Sequence, residues 1–189
     1  MELLYRDRYY DKVDWEQGKY CRELKSQLGD IDNEVDAIET DVGLGASEPS
    51  VLVELFKNID WGSLLPAVLT GVFFLGDKIN KNIDAWIEIA KKFKRILSKF
   101  PPARIDEKGA LLVVLDRLGI FTGPIKEIDV SIQVIPFMQR SQGKRTLDKR
   151  PDALYVVTVL IPEKVYVVGI KSNMNVVFSN EYSTSWIKF

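Results

Sequence analysis

The chain has 189 residues, 46% of them hydrophobic and 28% charged, with a net charge of −1, a single cysteine and no histidine. These proportions are ordinary for a globular protein and argue against a disordered chain, and one thiol excludes an internal disulfide. The missing imidazole excludes Ser-His and Cys-His nucleophile pairs and zinc sites built from Cys and His, leaving carboxylates, lysines, tyrosines and hydroxyls for any chemistry.

In chain order, residues 2–10 alternate loosely between aromatic and charged side chains and suit a strand. Asp14 reads as a helix N-cap with Gln17 as its capping-box partner, and Tyr20, Cys21, Leu24 and Leu28 fall on one helical face before Gly29 stops the helix. Cys21 is read as a small core residue of that face. Residues 34–42 read as a strand whose poor alternation suits a sheet edge. Ser47 and Pro49 suggest the start of a short helix with Leu52, Leu55, Phe56 and Ile59 as its buried stripe. From Ser63 to Phe100 the apolar spacing is helical. Its second part, Ile79, Ile83, Trp86, Ala90, Phe93, Leu97 and Phe100, repeats in steps of four and three, the seam spacing of packed helices. The phase slips near Gly76, so a kinked helix or two helices are expected. Pro101-Pro102 ends this region, and Asp106 caps another helix that buries Leu111, Val114, Leu115 and Leu118 and stops at Gly119.

Beyond Pro124 the texture becomes that of strands. Residues 128–134 alternate, 153–161 and 164–170 are apolar on both faces, and Pro162-Glu163 and 172–175 are turns before a last strand at 176–179. Strands apolar on both sides need cover on both faces of their sheet. The expected fold class is therefore α+β: an N-terminal strand/helix layer, a central helical region with a long or kinked amphipathic helix, and a C-terminal antiparallel meander of about four strands. Residues 1–189 are read as one domain, with 1–100 and 103–189 as its conceivable sub-division.

Charge is divided unevenly. Residues 1–60 hold 15 acidic and 7 basic side chains, whereas residues 61–189 hold 12 acidic and 19 basic. The acidic run Asp30, Asp32, Glu34 and Asp36 offers oxygens to a hard cation, but it lacks the glycine and the terminal glutamate of an EF-hand loop. A solvated acidic edge explains it without any metal. Residues 139–150 form a basic loop in which Arg140, Lys144, Arg145, Lys149 and Arg150 could contact phosphate or an acidic partner. Its Gly143-Lys144-Arg145-Thr146 lacks the spacing of a nucleotide-binding loop. The candidate association seam is Ile79, Ile83, Trp86, Phe93 and Leu97. Residues 64–76 are uncharged but too few to span a bilayer. The first residues carry neither the basic nor the long apolar stretch of a secretory signal, which with the lone cysteine suits a reducing cytoplasm.

These features point to a non-catalytic interaction or self-associating protein that needs no cofactor, with a protein partner or a second copy as its ligand. Two alternatives remain in view. One is a membrane-active effector using residues 64–100. The other is a carboxylate-dependent, metal-assisted phosphodiesterase or nuclease acting on nucleic acid.

Overall fold

The computed structural model describes residues 1–10, 12, 16–41, 49–59, 83–120, 128–136 and 153–184, with the side chains of 83–86 and 136 left aside. Their contacts divide into two compact units, Met1–Ile59 with Lys92–Gly109, and Asp60–Lys91 with Ala110–Phe189. The class is mixed α+β, with three helices and two antiparallel four-stranded sheets among the described residues.

The first unit is built on strands β1 (Glu2–Arg6), β2 (Asp36–Asp41), β3 (Pro49–Glu54) and β4 (Arg104–Ile105), ordered β2-β3-β1-β4. Leu3, Leu4 and Tyr5 are consecutive and all buried, so β1 has both faces covered, as a central strand requires. The expected strand at 2–10 ends early because residues 8–10 turn away. Among the described residues β2 pairs only with β3 and is the edge, as its acidic composition suggests. Helix α1 (Lys19–Gly29) packs on β2 and β3 through Tyr20, Leu24 and Leu28. It starts later than the capping-box pattern implies. Gly18, at φ 79°, holds a left-handed turn that only glycine adopts readily, and Gln17 instead donates to the Glu39 carboxylate. Asp14 lies outside the described residues.

The expected helix beginning near Ser47 is corrected: residues 49–54 are β3, inserted between β1 and β2. Its Val51 and Val53 are buried against opposing Tyr5 and Leu3, and Pro49 sits at the strand's first position, where the missing N–H costs least. β-branched side chains and two flanking partners override the weak helical spacing of Leu52, Leu55, Phe56 and Ile59.

Helix α2 (Ile83–Lys99) is the described part of the long helical region, and residues 63–82 lie outside it. Among its described side chains Ile89, Ala90, Phe93 and Ile96 are buried, while Leu97 is half-buried. Helix α3 (Glu107–Arg117) follows Asp106 as expected and closes on Gly119 at φ 68°. It buries Ala110, Leu111, Leu112, Val114 and Leu115, a wider apolar surface than the anticipated stripe.

The second unit carries the C-terminal meander: β5 (Asp129–Pro136), β6 (Ala153–Ile161), β7 (Lys164–Lys171) and β8 (Val176–Ser183), paired in that order. Pro162 and Glu163 make the short turn between β6 and β7, and β8 runs four residues beyond the expected Ser179. The alternation of β6 places Ala153, Tyr155, Val157 and Val159 on one buried face, joined there by Ile132, Val168 and Ile170. Each large aliphatic residue so buried contributes roughly 1.5–3 kcal/mol.

Candidate interaction surface

Strand registers fix which residues share the second face of the meander. Rows run Gln133, Val156, Gly169, Phe178 and Ser131, Thr158, Val167, Asn180, with Asp129, Leu160, Val165 and Tyr182 beside them. Unlike the buried face, this one keeps Leu154, Val156, Leu160, Val165, Val167 and Phe178 only half-buried, and leaves Tyr182 at 50% and Ile135 at 40% exposure. An apolar patch of this kind on a two-sided apolar sheet is the strongest surface signal among the described residues, because soluble chains seldom leave aliphatic rows wet without a use for them.

Gly169 shapes the middle of that face. A Cβ there would collide with the ring of Phe178 on the neighbouring strand, so the aromatic ring packs directly against the backbone of β7. The glycine permits the approach, and the ring replaces the missing side chain. A bulge opposite Ile170 puts an extra residue, Val177, into β8.

The acidic run separates into local tasks. Asp32 accepts a hydrogen bond from the Phe56 N–H at 2.7 Å through one oxygen and from the Glu34 N–H at 3.3 Å through the other. Asp36 accepts from Lys57 at 3.0 Å and from Lys25 at 3.3 Å, and these cations hold its carboxyl below the usual carboxylate range. Glu34 accepts from the Asn58 side chain, and Asp30 sits at the C-cap of α1. No group of three or more acidic or thiol side chains gathers as a cation site among the described residues. The basic loop of Arg140, Lys144, Arg145, Lys149 and Arg150 lies outside the described residues, as do Ile79 and the side chains of Ile83 and Trp86 in the seam. Phe93 is buried and Leu97 half-buried. No described helix is long and apolar enough to cross a membrane.

Sequence reasoning missed a cation–aromatic cluster in the first unit. Arg8, Lys12 and Lys19 all stand about one Tyr9 ring, at 5.0, 4.9 and 5.1 Å from its centre. The Tyr9 hydroxyl donates to Glu23 at 2.7 Å, and Arg8 pairs with the same carboxylate. Those bonds, from Tyr9 first and Arg8 second, lower the Glu23 pKa. Arg8, Tyr9 and Lys12 meet Lys19 and Glu23 only once β1 and α1 are placed, so nothing in their spacing announces the cluster. Cys21 is a quiet thiol: its Sγ reaches the Ala37 carbonyl at 3.3 Å, and burial raises its pKa.

Comparisons of this chain with protein families, with curated proteins and with solved structures found no match. The functional reading therefore rests on the surface itself.

Proposed function

We propose that this chain is a non-catalytic interaction protein that self-associates or binds a larger protein through the second face of its C-terminal sheet. One observation carries the reading: a face bearing Leu154, Val156, Val165, Val167, Phe178 and Tyr182 that is only partly covered. Burying such rows against another polypeptide returns about 25 cal/mol for each Å² of apolar surface removed from water, while nothing in the rows offers chemistry. The histidine-free composition supports the same reading, since the commonest general base is missing.

The test is light scattering coupled to size-exclusion chromatography over a range of protein concentrations, comparing wild type with Val156→Glu. Position 156 faces away from the buried side of β6, so the carboxylate enters the surface and leaves the core intact. The expected outcome is concentration-dependent association of the wild type that the variant weakens. A wild type that stays monomeric throughout, or a Val156→Glu protein that associates unchanged, refutes the proposal.

A further inference from the structure

The far edge of β8 has a backbone phase that fixes how it can accept another strand. Ser172 N–H donates to the Ala153 carbonyl, so even-numbered residues of β7 turn their backbone groups toward β6 and odd-numbered ones toward β8. Lys171 N–H donating to the Asn175 carbonyl agrees. The odd residues of β7 face Phe178, Asn180 and Tyr182, and Thr184 N–H continues that series by donating to the Glu163 carbonyl. The backbone groups of Ser179 and Glu181 therefore point away from β7, toward the side on which no described strand lies.

We infer that β8 pairs antiparallel with β8 of a second copy of this chain, about a two-fold axis through Asn180. This rests on the self-association part of the reading above and adds the strand edge to the apolar face as a second contact: Val156→Glu, two strands from that edge, tests the face, and the variants below test the edge. Geometry narrows the register, and centring on Ser179 would draw the bulge at Val177 into the pairing. A two-fold axis normal to the sheet keeps each face on its own side, so paired residue numbers must share parity. Centring on Glu181 would set identical carboxylates directly opposite, which is unfavourable. Centring on Asn180 sets Ser179 opposite the copy's Glu181, where the outward groups of both exchange hydrogen bonds. It also sets Phe178 opposite the copy's Tyr182 on the apolar face, an aromatic pair formed twice by symmetry.

Two further features fit a like strand. β8 contains no proline and no lysine or arginine, the usual guards of an edge, and its one charge, Glu181, is already paired with Lys164 at 2.6 Å. Its bulge falls at Val177, outside the five residues 178–182 that make the pairing. The opposite edge, β5, ends in Pro136. The pairing joins two meanders into one continuous sheet and runs their apolar faces together.

The experiment uses the full chain with Cys21→Ser. Asn180→Cys places thiols at a pair whose Cα atoms would be about 4.5 Å apart, within disulfide reach, whereas Val177→Cys thiols would be far apart. Mild oxidation is expected to give a covalent dimer with Asn180→Cys and none with Val177→Cys. Because position 180 faces itself across the axis, Asn180→Lys should weaken association about fivefold, and an equal mixture with Asn180→Asp should restore it. Both substitutions are on an exposed position and leave the β7–β8 ladder in place. Association that is weakened in Val156→Glu but shows neither the cross-link nor the charge rescue overturns the strand pairing and leaves the interaction reading standing. A wild type that is monomeric and uncross-linked overturns both the pairing and self-association.

Discussion

At the scale of single residues, polar groups that look like chemistry in the sequence act as structural clamps. Phe56 is a buried non-glycine residue at φ 54°, a left-handed conformation that costs such a residue about 1–2 kcal/mol. The Asp32 carboxylate holds it by accepting the Phe56 N–H at 2.7 Å. Removing the acceptor leaves that N–H without its partner and the strain uncompensated. Asp32→Ala is expected to lower unfolding stability by about 1–3 kcal/mol in urea titration. A loss under half a kcal/mol would mean that the carboxylate does something other than brace this turn. Tyr5 makes the opposite case. It is 2% exposed, its hydroxyl has no hydrogen-bond partner among the described residues, and burial drives its pKa strongly upward. Desolvating a hydroxyl without a bond is a cost, so Tyr5→Phe should be neutral or stabilise by about 1 kcal/mol. A clear destabilisation by the same titration would reveal a bonded hydroxyl.

At the scale of elements, the contact between Gly169 and Phe178 couples β7 to β8 and can be read by a double-mutant cycle. Gly169→Ala forces the ring off the strand and should cost about 1–3 kcal/mol, while in a Phe178→Ala background the same methyl group no longer meets the ring and should cost much less. Additive losses would place the ring elsewhere. Elements that pair or cap in chain order were legible in advance: the meander announces itself because each strand pairs with the next, and Asp106 and Gly119 mark both ends of α3. β3 was not legible. One of its two partners, β1, is some fifty residues away, and only its place between β1 and β2 reveals Val51 and Val53 as one face and cancels the apparent helical stripe of Leu52, Leu55, Phe56 and Ile59. The candidate surface was half legible. Continuous apolar runs in β6 and β7 declared that both faces want cover, but the ring over Gly169 and the outward phase of Ser179 and Glu181 depend on cross-strand register, which composition does not encode.

At the scale of the whole molecule, stability should carry the signature of one buried carboxyl. Asp106 ties distant parts of the first unit together, accepting the Glu2 N–H at 2.7 Å across 104 positions of sequence while its other oxygen caps α3 through the Gly109 N–H at 2.9 Å. Burial penalises its charged form more than the Gly109 bond favours it, with Glu107 adding to the penalty and the Met1 amino group and Lys108 opposing it, so its pKa is raised to about 6. A folded carboxyl that binds its proton more tightly than an unfolded one favours the folded state when protonated. The stabilisation is therefore complete below the ordinary aspartate pKa near 4, declines as pH rises, and is gone above about pH 6. Glu23 and Asp36 have lowered pKa values and work in the opposite sense, so they must be subtracted. Comparing wild type with Asp106→Asn does this, because the other acids titrate in both proteins. Between pH 7 and pH 4 the stability difference should move in favour of the wild type by about 2 kcal/mol, measured by urea unfolding at each pH. A difference that stays flat across that range would mean that the carboxyl is solvated well enough to ionise normally, and the buried tie between β1 and α3 would have to be redrawn.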